Sequence, residues 1–291
     1  MNAELLIMFT LDCDRAYLYA HPERELSFEE LQRYDEALAR RATGVPAQYI
    51  TGHQEFWGLD LIVSPAVLIP RPETEHLVEA VLGLASANDP ERSQNQQQDQ
   101  RPRAGAPAPH GSSPPHELRI VDVGTGSGAI ALALAKHLPT AEIHATDVSP
   151  EALEVARANA ARHELTSRIE FHLADLLSGL PLASFDLVVS NPPYVGESEE
   201  DSVQLEVRKF EPRNAVFAGP TGLEVIERLI PQAQTALRPG GWLVFEISGT
   251  IADRVWRLLS GWADVAVRND LQGIARVALA KKKSISDFLE S

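Results

Sequence analysis

Asn191-Pro192-Pro193-Tyr194 is the passage of this chain best equipped for chemistry. It follows Phe185–Ser190, an apolar run that reads as a buried strand. Two consecutive prolines stiffen the loop and remove two backbone donors, leaving carbonyl oxygens to accept. The Asn191 side chain adds a further acceptor and two donors. A loop that accepts from two sides suits a planar nitrogen, in an amide or an aromatic amine, whose lone pair is delocalised. If Asn191 Oδ1 and the Pro192 carbonyl take its two N–H bonds, the nitrogen is held in line with an electrophilic methyl group. It then becomes more tetrahedral as it attacks. Asn191, Pro192, Pro193 and Tyr194 are therefore the expected substrate-binding loop. Asn191, Pro192 and Tyr194 are its catalytic members, Tyr194 by packing on the planar group. The rate gain would come from positioning and transition-state hydrogen bonding. No general base is needed, because the nitrogen becomes acidic once alkylated. The plainer alternative, a strand terminator of Asn and two prolines, loses weight from what precedes the loop.

The donor side is read from Ile120-Val121-Asp122-Val123 running into Gly124-Thr125-Gly126-Ser127-Gly128 and then into an Ala-, Ile- and Leu-rich helix. A glycine-rich turn between a parallel strand and a helix lets the backbone approach a ligand closely. The spacing alone also suits a nicotinamide dinucleotide or a purely structural turn. S-adenosylmethionine is favoured by Asp122, placed to face a cationic amino-acid portion, and by the absence of the Gly-x-Gly-x-x-Gly spacing. Asp122 capping the turn is the alternative. The next strand ends at Asp147, where a carboxylate can accept from ribose hydroxyls. Asp175 after the third strand is expected near the adenine amino group, with Leu176 covering the ring. The expected cofactor contacts are Asp122, Gly124, Thr125, Gly126, Ser127, Gly128, Asp147, Asp175, Leu176 and Asn191, with no metal.

These residues need a sheet to bring them together. Candidate strands are Arg119–Val123, Glu142–Thr146, Arg168–Leu173, Phe185–Ser190, Trp242–Ile247, Val265–Arg268 and Ile274–Ala280. Helical or mixed segments separate the first five, which predicts a parallel sheet covered on both faces. A short connection makes the last two an edge hairpin. The expected fold is α/β, a Rossmann-like class I methyltransferase sheet of seven strands with only the final pairing antiparallel. Upstream, Ser27 and Glu30 form a capping-box helix start. Leu31, Tyr34 and Leu38 share one face of that helix, and Gly44 with Pro46 ends it. Leu59–Val63 and Val67–Ile69, flanking Ser64-Pro65, read as a β-hairpin. Residues 86–117 contain no Val, Ile, Leu, Met, Phe, Tyr or Trp and read as a disordered Gln/Pro-rich linker.

The chain has 291 residues, 44% hydrophobic, with a formal net charge of −15. That balance argues against a protein gripping nucleic acid through many phosphate contacts. Lys281-Lys282-Lys283 is the one basic run and reads as a solvated tail over 281–291. No stretch is long and apolar enough for a membrane span, no signal peptide is evident, and Cys13 is the only cysteine. A reducing cytoplasm is expected.

Several passages resemble the family of glutamine methyltransferases that modify peptide-chain release factors. They are Ala20-His21-Pro22-Glu23, Gln48-Tyr49-Ile50-Thr51-Gly52, Glu55-Phe56-Trp57-Gly58, Ile69-Pro70-Arg71-Pro72-Glu73-Thr74-Glu75, the glycine loop, Asn191–Tyr194, and Phe210-Glu211-Pro212-Arg213. The resemblance covers nearly the whole chain except the linker. It implies a small helical domain, 1–54, that recognises the release factor and is shorter than in the family. A hairpin and connecting helix (55–85), the linker (86–117) and an S-adenosyl-L-methionine-dependent methyltransferase domain (118–280) follow. The implied reaction is N5-methylation of the glutamine in the Gly-Gly-Gln motif of peptide-chain release factors, by a monomer. By matching position, cofactor contacts fall on Gly124–Gly128, Asp147, Leu176 and Asn191. The family commonly carries an aromatic where this chain has Leu176. Asn-Pro-Pro-Tyr alone is shared with nucleic-acid exocyclic-amine methyltransferases acting on adenine N6 or guanine N2. The acidic charge and the lack of an aromatic and Arg-rich clamp weigh against that alternative, and no stable nucleic-acid binding is expected.

Overall fold

The computed structural model describes residues 2–87 and 117–284. The chain opens with α1 (Asn2–Leu11), α2 (Arg15–Ala20), α3 (Phe28–Ala42) and α4 (Ala47–Thr51). Asp14 caps α2, and Ser27 with Glu30 forms the expected capping box on α3. Leu6 of α1, Ala37 of α3 and Ile50 of α4 close a small core of their own. Leu31 and Leu38 stay largely exposed.

The hairpin is β1 (His53–Phe56) with β2 (Leu59–Ile62), turning at Trp57-Gly58. This corrects the expected pairing across Ser64-Pro65: Val67 and Ile69 form no strand but are buried against Tyr49. Trp57 and Gly58 both adopt positive φ, 54° and 68°. That double left-handed turn matches the twist of paired strands, and Glu55 Oε1 accepts from Gly58 N at 2.6 Å to hold it. A short 3₁₀ turn, Pro72–Thr74, leads into α5 (Glu75–Ala87). Ser86 and Ala87 therefore belong to a helix, because α5 is carried by its buried face of Leu77, Val78 and Val81. The rest of the expected linker lies outside the described residues, apart from Glu117.

The remaining chain is β3 (Arg119–Val123), α6 (Ala129–His137), β4 (Glu142–Asp147), α7 (Pro150–Arg162), β5 (Ile169–Leu173), β6 (Phe185–Ser190), β7 (Val195–Gly196), α8 (Leu205–Phe210), α9 (Arg213–Val216), β8 (Phe217–Gly219), α10 (Glu224–Ala236), β9 (Leu237–Glu246), α11 (Ala252–Leu258), β10 (Ala263–Asn269) and β11 (Ala275–Lys281). Seven strands form one sheet in the order β10-β11-β9-β6-β3-β4-β5. β9, β6, β3, β4 and β5 pair in parallel, but β11 slots between β9 and β10 and is antiparallel to both. Two antiparallel pairings thus replace the single one expected. The crossover through α11 leaves a gap beside β9, and the hairpin return fills it.

Alternation along the strands divides the core. Ile120, Leu187 and Val244 face α5 and α6, whereas Val121, Val188 and Leu243 face α10 and α11. The basic run is partly built into this sheet rather than solvated. Lys281 ends β11 and pairs with Asp264 at 3.5 Å, and Lys282 Nζ donates to the Leu237 carbonyl at 2.6 Å. Carbonyls at the start of β9 supply the acceptor that draws the lysine in. Residues 285–291 lie outside the described residues.

One side chain ties the hairpin to the sheet domain. Asn159 on α7 is fully buried; its Oδ1 accepts from Ile62 N at 2.6 Å, and its Nδ2 donates to the Ile62 and Ser127 carbonyls at 2.9 Å. Asn159→Ala strips three backbone groups of their partner at once. With about 1–3 kcal/mol for each buried group left unsatisfied, and some of that recovered by water at the half-buried Ile62, a loss of about 3 kcal/mol is expected. A thermal unfolding midpoint within a degree of wild type would contradict this account.

Candidate active site

The C-terminal ends of β3, β4 and β6 open into a cavity of about 420 Å³, the place where open α/β sheets bind ligands. Gly124, Thr125, Gly126 and Ser127 line it, as do Asp147, Asp175, Leu176, Asn191 and Pro193. Nine of the expected site residues thus converge. A Cβ built on Gly124 or Gly126 meets nothing within 4 Å, so the turn presents bare backbone to open space. Asp147 sits between turn and cavity: Oδ2 accepts from Gly126 N and Oδ1 from Ser149 N, each at 2.9 Å. Burial pushes its carboxyl above the usual range, against the backbone hydrogen bonds that hold it down.

Four expected residues lie elsewhere. Asp122 does not reach the cavity. It is fully buried, accepting from Thr125 Oγ1 at 2.6 Å and from Ala131 N at 3.2 Å, so it closes the turn and holds the first turn of α6. Its burial pushes the carboxyl up to about 7, and the bond from Thr125 opposes the rise. Gly128 is a packing glycine at φ +84°, where a Cβ would lie 2.5 Å from Leu132 Cδ1 and 3.3 Å from Ala156 Cβ. It lets α6 approach α7 closely and does not line the cavity. Pro192 and Tyr194 line a second, smaller cavity of about 150 Å³. Asn191, Pro193, Leu68, Arg71 and Ala215 line both. The Tyr194 hydroxyl donates to Glu246 Oε1 at 3.0 Å, and burial raises its pKa. Asp175 reaches the main cavity, but its carboxylate is engaged by Arg228 of α10, so its expected bond to an adenine amino group competes with an existing ion pair. Leu176 lies beside it at φ +55°, a left-handed conformation uncommon for a branched side chain.

Sequence reasoning assigned no role to the residues that support this loop. Asn191 Nδ2 donates to Thr74 Oγ1 at 3.0 Å, and Thr74 Oγ1 donates to Glu246 Oε2 at 2.7 Å. Glu246 is 1% exposed at the end of β9, and burial raises its pKa. Its signal was a lone carboxylate in an apolar strand. Glu211, also buried, accepts from Ile69 N at 3.2 Å and from Arg71 at 2.5 Å. Two passages distant in the chain, Ile69–Glu75 and Phe210–Arg213, thereby lock together over the cavity.

The residues present fit S-adenosylmethionine. The glycine turn leaves room for a ligand against its backbone, and Asp147 offers a carboxylate to a diol. Leu176 and Ile130 give an apolar wall. When bound, the cofactor supplies an electrophilic methyl group on a sulfonium.

Comparison with known proteins agrees with this geometry. Residues 1–52 match the model of the PrmC N-terminal domain, and residues 112–209 that of the methyltransferase small domain. A release factor glutamine methyltransferase of Koribacter versatilis is 52% identical over 97% of this chain and 91% of its own length. One of Chlorobaculum tepidum is 41% identical over 95% and 88%. Among solved structures, a methyltransferase from Pyrococcus furiosus superposes with a TM-score of 0.51 at 18% identity, over 87% of this chain and 99% of that one. The hMettl16 catalytic domain, in complex with an RNA hairpin, gives 0.55 at 17%, over 82% and 81%. These two likenesses concern the fold alone. Sheet, glycine turn, acceptor loop and full-length similarity converge, and the chain belongs to the release factor glutamine methyltransferase family of S-adenosylmethionine-dependent enzymes.

Proposed function

We propose that the chain methylates the side-chain amide nitrogen of the glutamine in the Gly-Gly-Gln motif of peptide-chain release factors, at the junction of the two cavities. The observation carrying this reading is that Asn191 and Pro193 line both the cavity with Asp147 and the cavity with Tyr194. A nitrogen held at Asn191 and Pro192 from the smaller side meets a methyl group presented from the larger. Asn191 Oδ1 and the Pro192 carbonyl accept its two N–H bonds. S-adenosylmethionine, when bound, would supply the electrophilic methyl group, and Asn191 with Pro192 would hold the nitrogen that takes it. The charged nitrogen then sheds a proton to water. Gly124–Ser127, Asp147 and Leu176 hold the cofactor in this reading, and the helical domain 1–54 receives the release factor. No helix among the described residues is long and apolar enough to cross a membrane. The proposed substrate, a release factor, puts the reaction in the cytoplasm.

Incubating the enzyme with S-adenosylmethionine and a purified release factor is expected to add one methyl group, 14 Da, to the Gly-Gly-Gln tryptic peptide. Labelling of tRNA, rRNA or DNA with none on the factor would overturn the proposal.

A further inference from the structure

We infer that Glu246, acting through Thr74, dictates which end of the Asn191 carboxamide faces the acceptor. This rests on the reading of Asn191 given above. An Asn side chain can present either its oxygen or its NH₂, and the two ends differ little in shape. Only the oxygen can accept an N–H from the substrate. Both carboxylate oxygens of Glu246 act as acceptors in this arrangement. Glu246 takes the Thr74 proton at 2.7 Å through Oε2 and the Tyr194 proton at 3.0 Å through Oε1. Thr74 Oγ1 then has only lone pairs left to offer, and at 3.0 Å it can bind Asn191 by accepting from Nδ2. The NH₂ end is thereby turned away and Oδ1 left for the substrate. Both the Glu246–Thr74 and the Thr74–Asn191 links are needed, because a hydroxyl with no fixed acceptor behind it serves either end of an amide.

The same carboxylate also fixes the last residue of the loop. Asn191 and Tyr194 bracket the two prolines, and both are held from Glu246, one directly and one through Thr74. Thr74 comes from the segment preceding α5 and Glu246 from β9, so docking of that segment onto the sheet completes the acceptor site. Thr74 and Glu246 are positioning residues, since neither donates to nor accepts from the substrate in this scheme.

Three variants separate orientation from bulk. Thr74→Ser keeps the hydroxyl and is expected to retain kcat within about threefold. Thr74→Val keeps the shape, loses the hydroxyl, and is expected to lower kcat by about 30- to 100-fold, with the KM for S-adenosylmethionine unchanged. Glu246→Gln places a donor where only acceptors stood, so Thr74 can be made to donate onward. An NH₂ end facing the substrate is then favoured, and a kcat loss of at least about tenfold follows. Equal kcat in Thr74→Ser and Thr74→Val, or losses confined to KM, would overturn the inference while leaving release-factor methylation by the wild type intact. An independent readout needs no substrate. In protein carrying ¹⁵N-asparagine, with the Asn191 resonance assigned by its loss in Asn191→Asp, one carboxamide proton is expected to exchange slowly in the wild type and rapidly in Thr74→Val. Rapid exchange in both would overturn it even if the acceptor were not a release factor.

Discussion

Asn191→Ala is expected to lower kcat for methyl transfer to the release factor by about 10³-fold, with the Kd for S-adenosylmethionine changed by less than about threefold. Loss of a single preorganised hydrogen bond at a reacting centre costs about 10²–10³ in kcat. Here the same group also sets the approach of the nitrogen, and misplacement adds to the loss. The cofactor end of the cavity depends instead on the glycine turn and Asp147, so binding is spared. Asn191→Asp is the sharper variant. It keeps acceptor oxygens but has no N–H for Thr74, whose proton already goes to Glu246. A second carboxylate would face lone pairs with Glu246 two links behind it, and the loop would shift or take up a proton. Activity near that of Ala is expected, although Asp is nearly isosteric. Single-turnover rates with the intact factor, beside calorimetric titration of S-adenosylmethionine, measure both quantities. A kcat within tenfold of wild type in Asn191→Ala would remove this residue from the mechanism.

The difference between what the sequence disclosed and what it withheld follows the range of the interactions. Asp147, Gly124, Gly126 and Asn191 are legible because each stands at a strand end, and parallel strands deliver their ends to one edge. Asp122 stands two residues before the glycine turn and was open to two readings. The choice depends on whether the turn folds back over it, and the bonds from Thr125 and Ala131 show that it does. Gly128 counts with the glycine motif in one dimension, but its conformation and the nearness of Ala156 make it a contact between helices. The hairpin was misplaced because its turn is Trp57-Gly58, where a tryptophan takes the left-handed conformation usually left to Asn, Asp or Gly. Ser64-Pro65 carried the stronger local signal and lost to the pairing of Gln54 with Leu61.

The support of Asn191 was beyond reach for a different reason. Thr74 and Asn191 are 117 positions apart, and Thr74 and Glu246 are 172 apart. No spacing rule relates such residues; only the docking of the segment before α5 onto the sheet does. The passages Ile69–Glu75 and Phe210–Arg213 could be noticed as family features, yet their physical reason is the Arg71–Glu211 pair, with the bond from Ile69 N to the same carboxylate. A pattern seen in sequence can thus locate an essential surface before it says what the surface does.

Asp147→Ala is expected to weaken S-adenosylmethionine binding by about 10²-fold. Each carboxylate oxygen already accepts one backbone N–H, from Gly126 and from Ser149, and so holds the turn against the end of β4. Asp147 also lines the cavity, where its carboxylate can accept from a ribose diol. Hydrogen bonds to a charged group contribute about 1.5–3 kcal/mol, and a tenfold change in affinity is about 1.4 kcal/mol. Loss of the diol contact with slackening of the turn therefore gives the stated effect. The pH dependence has a definite sign. Burial raises this carboxyl in the free protein, and donation from the diol favours the ionised form, so the pKa is lower in the complex. Below the free-protein pKa, binding therefore expels a proton from this carboxyl; affinity strengthens as pH rises through that pKa and levels off above it. Asp147→Asn cannot ionise; it is expected to bind more weakly than wild type at neutral pH but to show a flat profile as pH falls. Titration calorimetry from neutral pH down through the carboxylate range distinguishes the cases. A wild-type affinity that improves on acidification, or an unchanged Kd in Asp147→Ala, would place the ribose elsewhere in the cavity.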